Sequence, residues 1–167
     1  MHWVSWDRTD RNNLKLLAEE GPEVVAEFGD RSALVGGQRW DLAVAVENAA
    51  VATVAGAEVV RTGPLKRSKE IPVTIEGRQY LMVNEDSSDW IIDDATGAKV
   101  AQFSGRDHGV RNANLEFEGE TTLPTTDIVG LAWASRLALE SKTMGSSVAL
   151  IATLLLLTAV GLLVFIF

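Results

Sequence analysis

Between residues 23 and 123, short β-favouring segments are cut again and again by turn residues, and this spacing constrains the fold more than any other feature. Gly29-Asp30 separates VVAEF from RSALV, Gly36-Gly37 separates SALV from QRWDLAVA, and Ala55-Gly56 divides AAVATV from AEVVRT. Glu76-Gly77, the run from Asp93 to Gly97, and Glu118-Gly119 do the same further along. Short segments bounded by Gly, Asp or Asn are the pattern of an antiparallel meander, and ten to twelve strands are predicted. Val73 and Ile75 alternate with Thr74 and Glu76, while Val100, Ala101 and Phe103 sit around Lys99 and Gln102. So many strands in a small domain must curl or close, because an open edge recruits other strands.

Residues 125–141 break the pattern. Pro124 precedes them, Thr125 or Thr126 is placed to cap a helix, and Asp127 suits a first helical turn. The apolar residues from Ile128 to Leu139 run nearly all round that helix, so it must be buried. Ser135, Arg136 and Glu140 make it too polar to cross a membrane, and the inside of the β structure is its simplest home. Earlier in the chain, RNNLKLLAEEGPE suits either a short helix stopped by Gly21-Pro22 or a first strand. Residues 1–13 are expected to lie ahead of the barrel.

The chain ends in SSVALIATLLLLTAVGLLVFIF, with no charge after Lys142. Val148 to Phe167 is 20 apolar or small residues. At helical rise they reach about 30 Å, the thickness of a hydrocarbon core. A soluble core seldom holds such a stretch without a polar face, so residues 144–167 are predicted to be a transmembrane tail anchor. Arg136 and Lys142 flank its N-terminal side, which places the N-terminal domain in the cytoplasm and Phe167 at the outer face of an inner membrane. Gly145, Ala149, Thr153 and Gly161 recur at four-residue multiples, a small-residue stripe that lets another membrane helix approach closely.

Composition narrows the remaining classes. The 15 basic and 23 acidic residues leave a net charge of −8, which argues against nucleic acid as a partner and against broad electrostatic docking to anionic lipid. No cysteine is present, which removes disulfides, thiolate zinc sites and a cysteine nucleophile. The N-terminus has no apolar h-region, so it is not a signal peptide. His2 and His108 are the only histidines, and no nucleophile elbow accompanies Asp107-His108. Glu85, Asp86 and Asp89 lack the glycine and terminal glutamate of a calcium loop, and Asp93-Asp94 reads as turn chemistry. No phosphate-cradling or dinucleotide motif appears, so no catalytic, metal or cofactor residues are assigned, and the chain is not expected to be an enzyme.

Two other features are candidates for contact. Lys66, Arg67 and Lys69 form a basic cluster in GPLKRSKEIP, either a solvated loop or a phosphate or headgroup site. Trp3 and Trp6, in HWVSWD, are candidate partner contacts, since tryptophan is enriched at binding hot spots; they can equally tuck onto their own barrel. Trp40, Trp90 and Trp133 sit within apolar patterns and belong to the core.

The fold class is therefore mainly β: a closed antiparallel barrel in residues 14–143 around a hydrophobic helix, followed by one transmembrane helix. DWIIDDATGAKVAQFSG (89–105) and TDIVGLAWASRLALE (126–140) resemble the strand–turn–strand and the central helix of the tubby-like barrel superfamily, which includes the LURP-one-related proteins and the phospholipid scramblases. The resemblance implies a domain of about twelve strands around a final helix. Departures are clear: the scramblases' palmitoylated cysteines are absent, and only the 66–69 cluster stands where tubby domains have many basic residues, so neither activity is carried over. The Ala-, Val-, Gly-, Asp- and Glu-weighted composition suits a high-GC bacterium. In architecture the chain is similar to small single-span proteins of the actinobacterial cytochrome bcc–aa3 supercomplex. The expected function is a non-catalytic accessory subunit whose partners are integral membrane proteins and the lipid bilayer. The alternative is a free tail-anchored lipid-handling or scramblase-like protein.

Overall fold

The computed structural model describes residues 1–10, 12–19, 21–86, 88–105 and 113–142. Twelve strands make one closed antiparallel barrel: β1 (Trp3–Asp7), β2 (Leu14–Ala18), β3 (Val24–Phe28), β4 (Ser32–Val35), β5 (Gln38–Ala45), β6 (Ala49–Val54), β7 (Ala57–Thr62), β8 (Glu70–Ile75), β9 (Arg78–Asn84), β10 (Asp89–Asp94), β11 (Lys99–Ser104) and β12 (Asn114–Phe117). Each strand pairs with its sequence neighbours, and β1 closes the ring on β12 through Val4 opposite Leu115. Closure leaves no free sheet edge to manage.

This corrects the expectation that residues 1–13 precede the barrel. β1 is a full member of the sheet, Phe117 N donates to His2 O at 2.8 Å, and Thr121 N donates to Met1 O at 2.9 Å. The open choice for residues 11–23 resolves as a strand. Leu14 and Leu16 face inward while Lys15 and Leu17 do not, a period of two that a helix cannot satisfy.

One rim of the barrel is built from tight turns. Gly36-Gly37, Ala55-Gly56 and Glu76-Gly77 each join two strands with positive φ at both residues, the hairpin geometry whose twist matches that of the sheet. The opposite rim carries longer connections, including residues 63–69 and 85–88. Register shifts at Leu16/Leu17, Ala52/Thr53 and Ile92/Asp93 help curl the sheet into a ring.

The chain leaves β12 at the turn rim and re-enters the barrel as α1, residues 125–142. The Pro124 carbonyl accepts from Asp127 N at 2.9 Å and Ile128 N at 3.1 Å, so Thr125 and Thr126 lie inside the first turn rather than capping it. From Asp127 to Ser135 every residue is buried, on all sides of the helix, as the all-round apolar pattern predicted. Large inward residues such as Trp6, Phe28, Trp40, Trp90 and Phe103 alternate around the ring with Ala26, Ala33, Ala50, Ala52 and Ala101. The small positions leave the width that a helix needs. At Gly130 the approach is closest: a Cβ there would stand 2.8 Å from Ile75 Cδ1 and 3.0 Å from Val60 Cγ2.

Among the described residues no helix is long and apolar enough to cross a membrane. The span predicted for residues 144–167 lies outside the described residues, as do Gly145, Ala149, Thr153 and Gly161.

Candidate functional site

α1 threads the barrel from rim to rim and is fastened at both ends. At the turn rim, Asp127 is fully buried and accepts two hydrogen bonds from Arg78, Nε to Oδ2 at 2.7 Å and Nη2 to Oδ1 at 2.6 Å. Tyr80 donates its hydroxyl to Oδ2 at 2.5 Å, and Arg78 Nη2 also reaches Glu76 Oε2 at 2.8 Å. The carboxylate thus gains the paired, hydrogen-bonded surroundings that a buried charge requires. Asp127, then Glu76, hold the Arg78 guanidinium well above the ordinary arginine range. Burial, and then the bond to Asp127, push the Tyr80 phenol far above its usual value. Sequence reasoning saw Asp127 as a helix-dipole residue and missed this cluster, because nothing local to Arg78 or Tyr80 announces a partner almost fifty positions away.

At the other rim, Ser141 Oγ donates to Leu65 O at 3.2 Å, and Lys142 Nζ donates to Asn84 Oδ1 at 2.7 Å. Lys142 lies over the Trp90 ring at 4.7 Å and Arg136 over the Trp6 ring at 5.0 Å. The cations stack on the faces of two rings whose indole N–H groups meet no acceptor among the described residues. Burial draws the Lys142 ammonium below its ordinary range, with Asp86 opposing that shift.

The basic cluster sits beside this exit. Lys66, Arg67 and Lys69 are exposed in the connection between β7 and β8. Leu65 is buried beneath them, and Leu65 N and Lys66 N both donate to Val46 O at 2.9 Å. Ser68 Oγ donates to Pro64 O at 2.6 Å and Asn84 N to Lys69 O at 2.8 Å. The loop is therefore a shaped platform pinned to the β5–β6 hairpin and to β9. Lys66 pairs with Glu47, whose carboxyl is held below its usual range by that bond.

The two N-terminal tryptophans part company. Trp6 is buried, packed edge to face on Phe28 at 5.0 Å, so it is a core residue and not a surface contact. Trp3 is half-buried beside a groove of about 620 Å³ whose lining includes Glu19, Pro22 and Glu23. Trp40, Trp90 and Trp133 are buried, as predicted. Glu85 N donates to Asp89 O at 3.1 Å and Asn84 Nδ2 to the same oxygen at 2.9 Å. Among the described residues no three acidic or histidine side chains converge as a metal would require. His108 and Asp107 lie outside the described residues.

Comparison of the chain with protein-family models, with curated proteins and with solved structures finds no match.

Proposed function

We propose that this protein is a non-catalytic, single-span accessory subunit of a larger bacterial inner-membrane complex, with the cytochrome bcc–aa3 supercomplex as the leading host. The observation that carries the reading is the occupied interior. α1 fills the barrel with buried side chains from Asp127 to Ser135, so binding is left to the outer wall, the rims and whatever follows Lys142. A rigid barrel with a stoppered lumen suits a covering or bracing part better than a carrier of small molecules, which needs a cavity.

The tubby-like resemblance belongs to the same reading. Its support is a twelve-strand ring wound around one helix that follows the last strand. The membrane span rests on the sequence of residues 144–167: 24 residues without a charge, long enough to cross. Its small residues Gly145, Ala149, Thr153 and Gly161 suit close packing against a neighbouring helix. The platform of Lys66, Arg67 and Lys69 favours the second reading, a free tail-anchored lipid-handling protein.

Gentle detergent extraction of the tagged full-length chain, followed by native sizing and identification of what co-migrates, tests the proposal. Stoichiometric migration with a large complex is expected, and replacing Gly145, Ala149 and Gly161 together by Leu is expected to release it. Migration as a small lone particle would refute the subunit reading and favour the lipid one.

A further inference from the structure

We infer that the long-loop rim of the barrel seats on the bilayer along one sector, formed by the β5–β6 hairpin and the β7–β8 loop, with lipid headgroups as its partner. The inference rests on the reading that residues 144–167 span the membrane.

The leash is short. α1 ends at Lys142, anchored to Asn84 at that rim, and the 20-residue apolar run begins at Val148. Six residues reach at most about 20 Å even when fully extended. The long-loop rim must therefore stand near the surface, and the turn rim away from it.

Within that rim one sector is shaped for the interface. β4 pairs with β5 only as far as Asp41, opposite Ser32, and Leu42 N still donates to Arg31 O at 2.9 Å, while Ala43 to Ala45 are held by β6 alone. In this overhang Ala43, Val44 and Ala45 are all exposed, Val44 by 45 %. Val44 shares the inward face of Trp40 and Leu42, yet it projects past β4 and has lost its cover. Next to it stand Lys66, Arg67 and Lys69, on the loop whose Leu65 and Lys66 amides both donate to Val46 O. Exposed apolar groups and cations on one pinned unit match the boundary between acyl chains and headgroups.

Charge sets the tilt. Glu47 and Glu70 offset part of this basic sector, so the attraction to anionic lipid is modest and short-ranged. The connection between β1 and β2 stands four to six strands away around the ring, and its Arg8 and Arg11 outweigh Asp10, so it offers no acidic counterweight. Glu85, Asp86 and Asp89 lie on the flank beyond Lys142. That acidic flank is turned from an anionic surface when the β5–β8 sector faces it.

The absence of native cysteine allows clean single labels. Val44→Cys, Asp10→Cys, Ala95→Cys and Leu156→Cys are each made in the full chain, labelled with NBD and reconstituted in nanodiscs. The lipid is phosphatidylcholine with phosphatidylglycerol, and a share carries doxyl quenchers, shallow ones for positions 44, 10 and 95 and deep ones for position 156. The label at position 44 is expected to shift to the blue and to be quenched severalfold more than those at 10 and 95. Adding Lys66→Gln, Arg67→Gln and Lys69→Gln is expected to reduce that quenching in anionic discs but not in pure phosphatidylcholine. Equal, weak quenching at 44, 10 and 95 with strong quenching at 156 would overturn the seat while leaving the span intact. Weak quenching at 156 would overturn the span and the seat together.

Discussion

Arg78, in the first position of β9, and Asp127, in the first turn of α1, meet through two side-by-side hydrogen bonds of 2.7 and 2.6 Å. The carboxylate is fully buried while 42 % of the arginine side chain reaches solvent. Removing the arginine strands a buried charge, whereas removing both partners does not. Because Arg78 is part-exposed, Arg78→Met is expected to cost about 2 kcal/mol, below the ~3–5 kcal/mol typical of breaking a fully buried pair. Arg78→Met with Asp127→Asn should recover part of that loss, because the amide oxygen still accepts from the buried Tyr80 hydroxyl while the stranded charge is gone. Urea unfolding of the three proteins checks this, and a double variant less stable than Arg78→Met would show that the pair itself drives helix docking.

Tyr80 gives the barrel an alkaline limit. Its phenol is held above the ordinary tyrosine value of 10.0 by burial and by the bond to Asp127. Above that pH the unfolded chain sheds a proton that the folded protein retains. The stabilisation is therefore complete below about pH 10 and is lost as pH rises towards the folded value. At neutral pH Tyr80→Phe should cost about 1.5–3 kcal/mol, the worth of a hydrogen bond to a charged group. The gap between the two proteins is expected to narrow from about pH 10 upward. A gap that stays constant across the alkaline range would contradict this assignment.

Gly130 marks where helix and wall touch most closely. An alanine Cβ would meet Ile75 Cδ1 at 2.8 Å, Val60 Cγ2 at 3.0 Å and Ile75 Cγ1 at 3.3 Å; the first can turn aside, but the other two belong to short, fully buried side chains that must shift. Alanine gains about 1 kcal/mol of helix propensity over glycine, which offsets part of that crowding, so Gly130→Ala should cost about 1 kcal/mol. Leucine has no room, and overpacking of this kind costs about 1–3 kcal/mol or more. Thermal melts of Gly130→Ala and Gly130→Leu should diverge clearly. A leucine variant as stable as the parent would mean that α1 does not press on β7 and β8 at this point.

Trp3 is the one tryptophan of five that is not buried. Trp6, Trp40, Trp90 and Trp133 are each exposed by 2 % or less. Acrylamide quenching of the folded protein should therefore come mainly from Trp3, and Trp3→Phe should remove most of it with little loss of stability. Persistent quenching in that variant would show that the barrel opens enough to admit the quencher.

Much of the fold was legible along the chain because it is local. Glycine and polar residues at the turns, with period-two alternation between them, mark antiparallel hairpins wherever they occur, and a helix apolar on every side has to be enclosed. Those two facts lead to a closed meander around a final helix before any contact is known. The N-terminal strand was missed although its pairing with β2 is local, across a connection that carries Asp10, Asn12 and Asn13; its pairing with β12, more than a hundred residues away, closes the ring with no local turn to announce it. The same reason hid the partner of Asp127, buried Trp6 rather than exposing it, and set the basic loop beside the end of α1. Turn chemistry and hydrophobic period are properties of neighbouring residues. Which rim the helix leaves by, and what gathers there, depends on how the ring closes, and only tertiary structure decides that.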